Sequence, residues 1–194
     1  MRYGEVHRES SETQIRLSVN LDADSESHIC TTVPFLDHML EAASFHGKLG
    51  IDIQACGDIE IDGHHLVEDV GICLGRAVGE ALGDFTGIRR FAHVVTPMDE
   101  CLVSATVDLS GRPHYASTLD LAPRDFGIFH TDLVDEFFTG FCSGSQITLH
   151  MRQLAGGNAH HLCEAAFKSF GRALGEAAAV VDCEIRSTKG FIDK

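Results

Sequence analysis

The sequence predicts an α+β fold of two sheets and paired helices, assembled from two similar halves. Three observations carry that prediction. The stretch from His64 to Ala81 recurs from His160 to Ala177, 96 residues on, with ten identities in eighteen positions. Short stretches of apolar alternation, the mark of half-buried strands, precede both copies. Each copy also opens a long helix behind a good capping residue.

The elements follow in the same order twice. The first alternating run is Ile15, Leu17, Val19 and Leu21, inside "ETQIRLSVNL" at 12–21. Its counterpart is Val103, Ala105, Val107 and Leu109, inside "ECLVSATVDL" at 100–109. A helix then starts near Pro34, since proline suits a first helical turn. Its "LDHML" at 36–40 parallels "VDEFF" at 134–138. A second strand is expected over 49–55 and again over 146–152, where Ile51 and Ile53 fall on Ile147 and Leu149. A long helix closes each half, over 63–83 and 159–181, with Asp62 and Asn158 as its N-caps. Strand, helix, strand and helix recur in register, so the reading is a tandem duplication, 1–90 and 91–194, forming one compact unit. A chain of 194 residues can build a core of that size.

Composition narrows the function. Apolar residues make up 44% and charged residues 23%, ordinary for a globular protein. No apolar run approaches the ~20 residues that span a bilayer, and "MRYGEVHRESSETQIRL" lacks the apolar core of a signal peptide. The expectation is a cytoplasmic protein with no membrane partner. A net charge of −14 argues against a nucleic-acid partner, because that affinity comes mostly from neutralising phosphates. A local cluster of Arg and Lys can still bind a small anion. The seven cysteines are odd in number and form no C-x-x-C pair, so neither a disulfide framework nor a zinc knuckle is expected. The twelve histidines are the outlier.

The repeated "HHLxE" motif gives those histidines a use. His64 and Glu68 are four residues apart and share a helix face, as do His160 and Glu164. His65 and His161 lie one residue on, about 100° around the helix at ~3.6 residues per turn. One ion cannot easily take all three side chains of a motif. The natural solution is reciprocal: each helix gives its i,i+4 pair to one ion and its odd histidine to another. His38 in "FLDHML" and its counterpart Glu136 offer a fourth ligand to each site. Imidazole plus carboxylate without thiolate suits Mn²⁺, Fe²⁺ or Zn²⁺. The positive end of a helix dipole keeps such histidines neutral and able to coordinate.

A second set of residues is basic. Arg90 in "GIRRF", Arg112 in "SGRP", Lys168, and Ser187 with Lys189 in "RSTKG" can together hold a phosphate by charge-assisted hydrogen bonds. Nothing in the sequence alone makes them converge. Glu12 opens the first strand; it reads as a surface charge or a general base, with Glu100 as its repeat partner and Asp99 beside that. The nucleotide-binding and serine-hydrolase signatures are absent. A dimetal hydrolase of a phosphorylated small molecule, and a metal-dependent assembly module, use the same ligands and remain alternatives.

The set "FLDHML", "DGHHLVEDVGI", "GIRRF", "PMDE", "DLSGRP", "LHMRQLAG", "NAHHLCEAAFKSFGRAL" and "STKG" closely resembles the imidazoleglycerol-phosphate dehydratase family. The resemblance runs from about Glu12 to Gly190. It implies ferredoxin-related halves, of the ribosomal protein S5 domain 2-like type, with helices packed between two four-stranded sheets. It implies a homo-oligomer, a 24-mer, with sites at subunit interfaces and two Mn²⁺ per active site. One ion would be held by His38, His65, His160 and Glu164, the other by His64, Glu68, Glu136 and His161. Many members carry histidine where this chain has Glu136. The implied reaction removes water from D-erythro-imidazole-glycerol phosphate to give imidazole-acetol phosphate, a step of L-histidine biosynthesis. Glu12 matches the family's acid–base glutamate, and Arg90, Arg112, Lys168, Ser187, Thr188 and Lys189 match its substrate-binding positions.

Overall fold

The computed structural model describes residues 1–22 and 27–192. The first half contributes β1 (Tyr3–Glu9), β2 (Thr13–Asn20), β3 (His28–Cys30), α1 (Pro34–Gly47), β4 (Gly50–Gly57) and α2 (His64–Leu82). The second contributes β5 (Phe91–Met98), β6 (Cys101–Asp108), β7 (His114–Ser117), the small hairpin β8 (Asp125–Phe126) and β9 (Phe129–His130), α3 (Leu133–Ser145), β10 (Thr148–Ala155) and α4 (Ala159–Ala178). The two large sheets have matching orders, β1-β2-β4-β3 and β5-β6-β10-β7. In each, the last strand pairs parallel to its neighbour, β3 with β4 and β7 with β10, and the rest is antiparallel. The fold is therefore α+β and duplicated, as the repeat predicts.

The alternating runs place their apolar residues on the helix side. Ile15, Leu17 and Val19 on β2 and Val103, Ala105 and Val107 on β6 are all buried. Each long helix lies on its own half's sheet, α2 on β1 and β2, α4 on β5 and β6. The short helices cross over: α1 packs on α4, and α3 packs on α2. Both helix pairs therefore join the two halves.

The recurring "GRA-GEA" glycines explain how closely those pairs approach. A methyl at Gly75 would sit 2.2 Å from the Phe141 carbonyl oxygen, and one at Gly171 would sit 2.1 Å from that of Ala43. Only hydrogen fits there. Helix α1 begins at Pro34 as predicted, with Val33 before it. Neither short helix has a glycine at its C-cap: Lys48 and Gln146 take the left-handed conformation there, at φ 54° and 58°.

Some boundaries differ from those expected. The N-cap of α2 is Gly63, not Asp62, although the Asp62 carboxylate still accepts from the His64 amide at 2.8 Å. Asn158 caps α4 as expected, accepting from the amides of His160 and His161. Helix α4 stops at Ala178 instead of 181 because its last carbonyls have other donors. The Arg90 and Arg89 amides bond the Ala177 and Ala179 carbonyls at 2.9 and 2.8 Å, and the Arg2 guanidinium bonds that of Ala178. The first strand and the short parallel strand of each half are additions to the sequence reading. None of the described helices is long and apolar enough to cross a membrane.

Candidate active site

The crossing of α1 over α4 builds the most complete cluster. His38 projects from α1, and His160 and Glu164 from the first turns of α4; their ligating atoms all lie within 4.8 Å of one another. His160 Nε2 and Glu164 Oε2 are 3.7 Å apart, the i,i+4 geometry expected. The other half repeats it: His64 Nε2 and Glu68 Oε2 on α2 are also 3.7 Å apart. An ion with ~2.1 Å bonds bridges donors up to about 4.2 Å apart, so a slight closure of the side chains would seat one. Two imidazoles and a carboxylate fit a borderline to hard divalent cation.

Within each motif the two rings diverge. His64 and His65 lie at 86° to each other and His160 and His161 at 88°, with 6.1 Å between centroids in both pairs. The odd histidines have their own partners. His65 Nδ1 lies 3.0 Å from Asp58, and His161 Nδ1 lies 2.9 Å from Glu100. His161 Nε2 also stands 3.9 Å from Asp99. Neither odd histidine joins the His38, His160 and Glu164 cluster of the same chain. Glu136 is half-buried near the start of α3, the helix packed on α2, yet it forms no three-residue cluster with His64 and Glu68. Among the described residues the chain thus presents the His38, His160 and Glu164 cluster, a second close group of Glu100, Cys101 and His161, and the His64–Glu68 pair.

The electrostatics suit ligation. Burial pulls the His160 pKa below its ordinary value, aided by the charges of His38, His161 and Arg124 and opposed by Glu164. Burial and neighbouring charges thus favour the neutral His160 ring, whereas His65, at the matching helix start, is shifted the opposite way from the helix-terminus expectation. For Glu164 burial pushes upward, but the Lys168 hydrogen bond and charge, with His38 and His160, prevail and hold the carboxyl below its ordinary value. Lys168 Nζ lies 2.6 Å from Glu164 Oε1. The Asp58 hydrogen bond raises His65, against desolvation and helped by the nearby Glu12 charge. Aromatic rings wall the cluster. Phe35 on α1 stacks on Phe126 at 4.1 Å, and both present their faces or edges to His160. Sequence reasoning missed this wall, because β8 and α1 are far apart in the chain.

The basic residues converge in part. Arg90 adopts a left-handed backbone, φ 74°, rare for a residue with a side chain. Its surroundings hold it there: Nε bonds Asp108 at 2.8 Å, and a second guanidinium nitrogen bonds the Arg186 carbonyl. Arg112 reaches the same Asp108 at 3.7 Å. Arg186 is followed by Ser187, Thr188 and Lys189, so the tail lies beside Arg90. Ser187 Oγ accepts from the Lys189 amide. Lys168 instead sits with Glu164. Asp108, which draws the two arginines together, opens the "DLSGRP" motif, but the sequence reading gives it no role. Glu12 is exposed in the β1–β2 turn. Its main-chain oxygen accepts from the Asp58 amide at 3.1 Å.

Comparison with known proteins gives this arrangement a family. The family model described as imidazoleglycerol-phosphate dehydratase matches residues 31–174. Proteins of that name from Caldicellulosiruptor bescii and Caldicellulosiruptor saccharolyticus are 48% and 44% identical to the chain over 191 residues, 98% of each sequence. The crystal structure of the Staphylococcus aureus protein of that name superposes with a TM-score of 0.82 at 38% identity, covering 93% of this chain and 99% of that one. IGPD from Pyrococcus furiosus superposes with the same TM-score at 37% identity, covering 96% and 100%. The chain belongs to the imidazoleglycerol-phosphate dehydratase family.

Proposed function

We propose that the chain is a metal-dependent hydro-lyase that converts D-erythro-imidazole-glycerol phosphate to imidazole-acetol phosphate, in the cytoplasm, as a step of L-histidine biosynthesis. The observation that carries the metal dependence is the cluster of His38, His160 and Glu164, drawn from both halves of the chain. His65 of another copy would complete that site. His64, Glu68 and Glu136, with His161 of another copy, would hold the second ion. The halves 1–90 and 91–194 act as one unit in this reading, and a closed homo-oligomer of 24 chains would supply the missing ligands.

Two Mn²⁺ ions would supply Lewis acidity at the imidazole ring of the substrate. They are needed because the proton to be lost sits on a carbon with no adjacent carbonyl, so the ring must accept the electrons. Arg90, Arg112, Ser187, Thr188 and Lys189 hold the phosphate, as the shared contact of both arginines with Asp108 supports. Lys168 belongs to the same substrate-binding set and also holds Glu164 in place. The C3 hydroxyl departs first, as water with the proton that the imidazole ring sheds, which conjugates the ring with C2; Glu12 then takes the C2 proton and returns it, and the resulting enol ketonises.

The test incubates metal-free protein with imidazole-glycerol phosphate, adds Mn²⁺, and follows ketone and free phosphate together. Ketone that depends on Mn²⁺, without phosphate release, is the expected result. Phosphate release would point to a metal-activated water and a hydrolase instead.

A further inference from the structure

The two halves treat their odd histidines alike but use different residues to do it. His65 Nδ1 meets the Asp58 carboxylate at 3.0 Å, and His161 Nδ1 meets that of Glu100 at 2.9 Å. Asp58 follows β4, whereas Glu100 lies in the β5–β6 turn. They are not repeat partners: the counterpart of Asp58 is Leu154, and that of Glu100 is Glu12. Each half therefore reached one geometry from a different loop.

We infer that Asp58 and Glu100 are positioning residues that fix His65 and His161 for metal ligation, and that Asp58 has thereby released Glu12 from the task its repeat partner performs. An ionised carboxylate only accepts hydrogen bonds, so in each pair Nδ1 carries the proton and the Nε2 lone pair is left for an ion. Such carboxylate–histidine contacts fix ring orientation and make the ligand more basic. The backbone explains the exchange. The Asp58 amide bonds the Glu12 carbonyl at 3.1 Å, so the two residues stand side by side next to His65. Asp58 takes the ring nitrogen. The Glu12 side chain is left exposed and makes no hydrogen bond or ion pair among the described residues. Across the pseudo-symmetry Glu100 remains committed to His161. A duplicated scaffold thus yields one glutamate that holds a ligand and one available for proton transfer.

This inference rests on the metal-dependent reading above, and its test keeps the two apart by measuring metal binding. Mn²⁺ affinity is measured by calorimetry on Asp58→Asn, Glu100→Gln, Glu12→Gln and Cys101→Ala proteins, each shown to be folded by circular dichroism. Asp58→Asn and Glu100→Gln are expected to weaken Mn²⁺ binding by about 10- to 100-fold, with partial recovery in Asp58→Glu and Glu100→Asp. Glu12→Gln is expected to bind Mn²⁺ as the parent does while losing turnover. Cys101→Ala separates positioning from direct ligation, because the Cys101 thiol lies beside Glu100 and His161: parental affinity is expected, and weakened binding in this variant would overturn the positioning role of Glu100. Parental affinity in Asp58→Asn and Glu100→Gln would overturn the positioning role. Weakened binding in Glu12→Gln would overturn the division of labour. A parent that binds Mn²⁺ with this variant pattern but forms no ketone would sink the dehydratase reading and leave the positioning role intact.

Discussion

Replacing Gly171 by alanine tests whether the glycine crossing sets the metal cluster. The new methyl would lie 2.1 Å from the Ala43 carbonyl oxygen, where ordinary contact begins at 3.4 Å, so α1 must retreat by about 1.3 Å. That oxygen belongs to a helix backbone and cannot rotate aside. Alanine favours the helix by ~1 kcal/mol over glycine, while overpacking costs ~1–3 kcal/mol. With a clash this short against backbone the cost lies at the upper end, overpacking wins, and the net loss is up to about 2 kcal/mol. In a chain of this size each kcal/mol lowers the thermal midpoint by ~2–4 °C. The larger effect is on the site. Helix α1 carries His38, and metal–ligand distances hold to within ~0.2 Å, so a shift several times that size should weaken Mn²⁺ binding by ~10-fold or more. Thermal unfolding of metal-free protein and Mn²⁺ calorimetry read both effects. Gly79→Ala is the control, because its methyl would meet nothing nearer than Ser145 at 3.4 Å. That variant should gain up to ~1 kcal/mol and bind Mn²⁺ normally. A Gly171→Ala protein as stable as the parent, with unchanged affinity, would refute the reasoning.

Two further outcomes follow from burial and charge. Burial pushes the Cys142 and Cys163 thiols to about 12 and Cys73 to about 11. With Cys101, also buried, these four should resist a thiol reagent at pH 8 until the chain is denatured; rapid labelling of any of them in native protein would contradict the packing. Metal-free protein should lose stability in acid, and two groups of the cluster contribute to that loss. His160 is lowered from 6.5, so the unfolded chain takes its proton first as pH falls below that value. Glu164 is lowered from 4.5, so its contribution is present above that pH and is lost as pH drops through the folded value. His65, raised from 6.5, has its full contribution below that pH and loses it only as pH rises, so it does not offset the acid loss. The thermal midpoint should fall steadily below pH 6.5, and Glu164→Gln should flatten the lower part of the curve. A midpoint flat from pH 6.5 to pH 4, or a Glu164→Gln curve as steep as the parent's, would contradict these assignments.

Much of the fold was legible because it lies in local periodicity. The alternation on β2 and β6 and the helices begun by Pro34 and Asn158 need only neighbours along the chain. The i,i+4 pairs His64–Glu68 and His160–Glu164 are local in the same sense, and both came out at 3.7 Å. What escaped was long-range. Nothing near Gly171 announces that Ala43 will cross it, so the repeated glycines read as a sign of duplication and not as its packing cause. Strands β3 and β7 are too short to show a period. The use of Asp58 and Glu100 was equally hidden, because each meets its histidine only once a turn and a helix terminus are folded together. Arg90 and Arg112 converge through Asp108, which stands in the same motif as Arg112 but meets Arg90 only across two strands.

The most direct test of the account is complementation between two inactive chains. Each chain holds His38, His160 and Glu164 together while its own His65 is turned to Asp58, so the account requires the fourth ligand to come from another copy. His65→Ala and His160→Ala proteins are purified, disassembled together, reassembled with Mn²⁺, and assayed for ketone from imidazole-glycerol phosphate. The account predicts that each is inactive alone and that the mixture regains part of the parent's activity, since intact His160 and intact His65 meet in mixed assemblies. A mixture that assembles fully yet stays inactive would contradict a site shared between chains.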